Sequence, residues 1–210
     1  MTQIITRLFD SFSDAEHAVI ELERVGVSHG DISLVSHQSD KRHAHVHVRE
    51  PHDDTAGQAA AKDAGAGAAI GGVLGAAGGV LAGLGLLAIP GLGPVVAAGW
   101  LASAAVGAIV GGAVVGAAGG LVGALSNAGV SREEAEVYAE GVRRGGTLVS
   151  AKVDDDKLVA AESALTAIPY VDVAARGAAY RASGWKRFDE NAPPYTDKEI
   201  EVERARWAPR

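Results

Sequence analysis

AGAGAAIGGVLGAAGGVLAGLGLLAIPGLGPVVAAGWLASAAVGAIVGGAVVGAAGGLVGALSNAGV, residues 64–130, contains no charged residue, and the fold turns on how it is read. Asp63 is the last charge before it and Arg132 the next after it. Ile89-Pro90-Gly91-Leu92-Gly93-Pro94 interrupts it near the middle. Each apolar segment on either side exceeds the roughly 20 residues a helix needs to cross a bilayer's hydrocarbon core. In the first, Gly67, Gly71, Gly75, Gly79 and Gly83 recur every fourth residue, which on a helix places them on one face. Gly107, Gly111, Gly112, Gly116 and Gly120 repeat the device in the second. Glycine costs about 1 kcal/mol per helix-interior position relative to alanine. Close approach of another backbone is the usual return on that cost, as in small-xxx-small helix packing.

The expectation is therefore a helical hairpin over residues 57–130, glycine face to glycine face, turning at Pro90, Gly91, Gly93 and Pro94. Two surroundings satisfy it: a bilayer crossed by two transmembrane helices, or a homo-oligomer in which partner copies replace lipid. A flexible linker is the third reading, but linkers use polar spacing residues and do not carry Ile70, Val73, Leu74, Val80 and Leu81. An apolar stretch of this size does not stay facing water.

The flanks bound the rest. A chain of 210 residues without cysteine has no disulfide framework and no thiolate metal site. No basic start followed by an apolar run opens it, so the flanks are expected in the cytoplasm, with the bacterial inner membrane holding the hairpin. A formal charge of −7 argues against general nucleic-acid binding and gives no help in attaching to anionic lipid. Partners are then other copies of the chain and a lipid bilayer, with no nucleic acid and no small-molecule substrate.

Ile4 to Phe9 reads as a strand, Ser13-Asp14-Ala15-Glu16 as a capping box opening a helix that Gly26 ends, and Ile32, Leu34 and Val35 as a second strand. Beyond the hairpin, Ser131-Arg132-Glu133-Glu134 opens a helix stopped by Gly145-Gly146. Thr147 to Val153 is a strand, Leu158 to Ile168 a helix, and Val171, Val173 and Ala175 a last strand. Two strand-helix-strand units, residues 1–50 and 131–180, compose an α+β ferredoxin-like split βαβ domain with the long Gly/Ala-rich hairpin inserted between its halves. Residues 181–210 form an extended tail with a short charged helix capped by Thr196-Asp197-Lys198-Glu199. Its Trp185, Phe188 and Tyr195 read as anchors pressed into a groove of this chain or of a neighbour.

Such halves, split by a Gly/Ala run with a central Ile-Pro-Gly-x-Gly-Pro turn, resemble the bacterial general stress proteins, also described as heat-induced stress proteins. Ala135, Tyr138, Gly145-Gly146 and Thr147 to Val153 are similar to that pattern, and the resemblance spans residues 3–178. It implies a role in the stress response and a glycine-zipper or membrane segment. It implies no established chemistry, so no catalytic residue and no cofactor are carried over.

One constellation resembles a ligand set. In His43-Ala44-His45-Val46-His47-Val48 the three histidines would project from one face of a strand, where neutral imidazoles bind zinc, copper or nickel. His37, His52, Asp53 and Asp54 are near enough in sequence to complete a shell. The competing reading is an edge strand whose polar face is histidine. No nucleophile-base pair or phosphate loop accompanies it, and the chain is expected to be non-enzymatic. Isothermal titration with Zn²⁺ and Ni²⁺ separates the two: a metal site gives saturable heat at micromolar metal, lost when His43, His45 and His47 become alanine, and a plain edge strand gives none.

Overall fold

β-Branched and aromatic residues make Thr2–Phe9 the first strand, β1. The computed structural model describes residues 2–37, 85–89, 91–110 and 120–207; at 85–88 and 106–110 the description is of backbone alone. Phe12–Arg24 forms α1, opened by Ser11, whose Oγ accepts from the Asp14 amide at 3.1 Å. That cap lies two residues earlier than the box expected at Ser13. Strand β2, Ile32–His37, follows.

The charge-free stretch then departs from expectation. Gly85–Ile89 and Gly93–Ala98 are strands β3 and β4 of an antiparallel β-hairpin, not helix. Leu92 N–H donates to Ile89 C=O at 3.0 Å across the turn, where Gly91 has φ 76° and Gly93 φ 84°. Positive φ at both glycines is incompatible with a continuing helix and suits a tight turn. Helices α2, Trp100–Val110, and α3, Gly120–Asn127, complete the stretch. At about 1.5 Å of rise per residue, α2 spans about 16 Å, half of a hydrocarbon core. Among the described residues no helix is long and apolar enough to cross a membrane, which overturns the transmembrane-helix and membrane reading.

The chain continues through α4 (Arg132–Arg143), β5 (Thr147–Asp154), α5 (Leu158–Thr166), α6 (Val173–Ala182) and α7 (Asp197–Trp207). The five strands form one antiparallel sheet in the order β1-β5-β2-β4-β3. The protein is thus mixed α+β. The last strand expected at Val171, Val173 and Ala175 is instead the start of α6. Asp172 accepts from the amides of Ala174 and Ala175 at 2.9 and 3.0 Å, and an alanine-rich sequence then continues as helix. What remains of pairing there is one bond, Val171 N–H to Leu8 C=O at 2.8 Å.

Both faces of the sheet are covered. Helices α1 and α5 pack on one face, against Ile5, Leu34, Val149 and Ala151. Helices α2, α3 and α4 pack on the other, against Leu8, Val35, Val95 and Leu148. All six residues of β2 are consequently buried. Its two serines find partners: Ser36 Oγ lies 2.9 Å from Thr147 Oγ1, and Ser33 Oγ accepts from the Leu101 amide at 2.9 Å. The second bond caps the start of α2 and fixes it over β2, with Gly99 (φ 83°) pressed against the backbone of Ile32 and Ser33. A Cβ at Gly99 would collide with the Ile32 carbonyl oxygen.

Gly99→Ala is expected to cost about 3 kcal/mol, combining left-handed strain with this clash. At Gly129 (φ 92°) a Cβ would meet nothing within 4 Å. Gly129→Ala should therefore cost only about 1 kcal/mol of strain. Urea midpoints at an unchanged m-value measure both.

Candidate functional site: the seam beneath the C-terminal tail

The tail lies on its own chain. Phe188 is buried in the core beside Leu92, and Ile200, in α7, is fully buried against Gly145. Thr196 and Glu199 form the expected box: Thr196 N–H donates to the Glu199 carboxylate at 2.8 Å, and Glu199 N–H to Thr196 Oγ1 at 3.4 Å. All three aromatics that the sequence marked as anchors therefore contribute, Phe188 as a plug, Trp185 half-buried against the core and Tyr195 beneath two guanidinium groups.

Those guanidinium groups come from the end of α4, where Glu140, Arg143 and Arg144 project on one side of the helix. Glu140 is 1 % exposed and accepts from Arg144 Nε at 2.7 Å and from Arg143 Nη1 at 3.4 Å. Arg144 reaches on to Glu203 of α7 at 3.3 Å, with its guanidinium 4.2 Å from the Tyr180 ring centroid and 5.5 Å from that of Tyr195. Arg143 donates to the Pro193 carbonyl at 2.9 Å and lies 5.0 Å from the Tyr195 centroid. Arg204 donates through Nε and Nη2 to the Gly145 carbonyl at 3.2 and 2.9 Å.

A second ion pair closes the other end. Arg176 of α6 donates to both oxygens of Asp10 at 2.8 and 2.7 Å, and its guanidinium sits 3.8 Å from the Trp207 ring centroid. Tyr180 stands edge-on to Trp185 and Trp207, with centroids 5.8 and 6.4 Å away. Cation-ring contacts of this kind contribute about 0.5–2 kcal/mol each as they become desolvated.

Electrostatics favours fixed charge over proton transfer here. Burial works against the Arg144 cation, but the adjoining Glu140 carboxylate outweighs it and holds the guanidinium above its ordinary range. Burial pushes the Tyr180 phenol up to about 12, with Arg176 and Arg144 opposing. Burial likewise pushes Tyr138 up to about 12, where its hydroxyl donates to the Thr6 carbonyl at 3.2 Å. The seam is built to clamp one element on another.

Elsewhere, a groove of about 340 Å³ runs between the start of α4 and α6, lined by Ser131, Glu133, Glu134, Val137 and Arg181. Arg181 and Glu133 pair across it at 3.1 Å, and Glu134 accepts from the Ser131 hydroxyl at 2.7 Å. Among the described residues no three histidine, aspartate or glutamate side chains gather to hold a metal.

Of the residues expected to pack helices, Gly107 lies in α2 and Gly120 at the start of α3. Gly67, Gly71, Gly75, Gly79, Gly83, Gly111, Gly112 and Gly116 lie outside the described residues, as do Pro90 and the histidines His43, His45 and His47. Gly91, Gly93 and Pro94 do mark a turn, but of the β-hairpin: Gly93 and Pro94 are the first residues of β4. No reading of the sequence brought Glu140, Arg143, Arg144 and Arg176 together as a site. Comparison with family models, with curated proteins and with solved structures gave no match.

The raised phenols set an alkaline limit. Between about pH 10 and 12 the unfolded chain releases protons that the folded chain keeps, so stability falls as pH rises, by about 1.4 kcal/mol per pH unit for each tyrosine. Below that window the contribution is fully present. Urea unfolding of the wild-type protein and Tyr180→Phe at about pH 9 and 11.5 checks it: the substitution should make the alkaline loss smaller.

Proposed function

We propose that this chain is a non-enzymatic, self-associating protein of the stress response, whose charge-free glycine run is covered by further copies of the same chain. The observation that carries the reading is how the run behaves where the structure describes it. Leu92, Val95, Leu101, Leu121 and Leu125 are all at most 1 % exposed, packed beneath the sheet and the tail. Residues 64–84 have the same composition and carry no charge of their own. A stretch of that kind needs equivalent cover. Another copy brings a surface of matching composition, and glycine repeats at four-residue spacing allow two backbones to approach closely. Most soluble oligomers are homo-oligomers.

The domain behind the run supports the same reading. Its order β1-β5-β2, with α1 and α5 on one face, is what a ferredoxin-like core would present without its fourth strand. Its clearest charged constellation clamps the tail and holds no reactive pair. This arrangement suits a scaffold that presents an association segment, as the resemblance to the general stress proteins implies.

Light scattering of the purified chain tests the proposal. Gly75→Leu and Gly112→Leu should each shift the particle toward smaller species, because a leucine side chain holds the paired backbones apart. Unchanged particle mass for both substitutions overturns it.

A further inference from the structure

Between α6 and α7 the tail crosses the tip of the β3–β4 hairpin. Gly91 and Gly93 make that crossing possible: a Cβ at Gly91 would stand 2.7 Å from Glu190 Cα, and one at Gly93 2.6 Å from Pro194 Cβ. Phe188 plugs the core beside Leu92, and Arg143 ties the Pro193 carbonyl to α4. The hairpin itself is the least-paired part of the sheet. β3 is an edge strand bonded to β4 alone, and β4 meets β2 over four residue pairs, against eight between β1 and β5. Gly85, the first residue of β3, directly follows the charge-free residues 64–84 in sequence.

The tail is held differently from the sheet. Across residues 185–207 only Phe188 and Ile200 are buried apolar plugs, and α7 exposes Val202 at 69 %. The remaining attachments are polar or aromatic: Arg143, Arg144, Arg176 and Arg204 hold the tail, and the half-buried Trp185 and Trp207 stand edge-on to Tyr180. A segment with few buried apolar contacts opens at lower free energy than the core it lies on. Opening the tail therefore precedes opening of the sheet, and it removes the cover from the hairpin tip.

We propose that the C-terminal tail is a releasable strap that sets the mobility of the β3–β4 hairpin, and through it how readily copies of the chain associate. The consequence for assembly rests on the self-association reading above; the strap does not. Bound, the tail pins the tip to α4. Released, it bares Leu92 and leaves β3–β4 held by four pairs to β2 and by α2 and α3.

Hydrogen exchange on the full chain tests this, comparing wild type with Glu203→Ala/Arg204→Ala and with a chain ending after Gly184. Release should speed exchange in residues 85–98 by about tenfold or more while β1 and β5 stay as protected as before. The strap is overturned if residues 85–98 keep wild-type protection when the tail is absent, or if β1 and β5 lose protection by the same factor. Light scattering on the same samples separates the two claims. Loosened hairpins with larger particles support both. Loosened hairpins with the mass of one chain in every sample leave the strap standing and remove the self-association reading.

Discussion

Strands β2 and β5 have almost no face toward water, and much of the architecture follows from that. A sheet covered on one side only would alternate apolar and polar residues. Here α1 and α5 claim one face and α2, α3 and α4 the other, so the polar positions of the central strands are enclosed as well. An enclosed hydroxyl without a partner costs about 1–3 kcal/mol. The strands meet this by pairing hydroxyls across the register, Thr6 with Ser150 and Ser36 with Thr147, each at 2.9 Å. Ser33 is spent on the first turn of α2. The helices of the second face thus depend on a strand hydroxyl, and the strand's burial depends on those helices.

That dependence explains why the charge-free stretch folds as it does. Its described parts serve as the second cover of the sheet and as its fourth and fifth strands in spatial order. Glycine at positions 91, 93 and 99 lets the chain reverse, lie under the tail and pass over Ile32 within a short span. Periodicity every four residues could not reveal this, since a helix and a string of tight turns both use glycine. The turn at Gly91 was legible; the kind of element it joins was not. Composition carries no sign of whether a Leu-Leu-Ala-Ile or Val-Val-Ala-Ala segment has a strand edge waiting for it. β4 has one, in β2.

The flanks were read more fully. β1, α1, β2, α4, β5 and α5 follow from caps, alternation and glycine stops that act locally. Val171 to Ala175 shows where local alternation misleads: Asp172 bonds two amides ahead of it and commits the chain to helix, leaving a single bond to Leu8 where a strand would have run. The seam was illegible for a different reason. Glu140, Arg143 and Arg144 occupy an amphipathic helix, and nothing local says that the polar side will be roofed by a segment some 60 residues further on. Tyr195, Glu203 and Trp207 complete them only in three dimensions.

Burying charge under the tail has a thermodynamic signature of its own. Desolvating an ion costs several kcal/mol, which its partner repays only when geometry is good. Glu140 meets two guanidinium groups, and Arg176 meets Asp10 through both nitrogens, so both pairs have that geometry. Such pairs contribute little net stability compared with apolar packing of the same volume, but they are demanding about position. Those pairs hold the body the tail lies on, and the tail itself is held by two apolar plugs, the Arg144–Glu203 ion pair, guanidinium bonds to the Pro193 and Gly145 carbonyls and the ring of Trp207 over Arg176, contacts that seat it in one register. That combination, specific when seated and inexpensive to unseat, distinguishes the tail from the sheet beneath it, where apolar burial on both faces dominates.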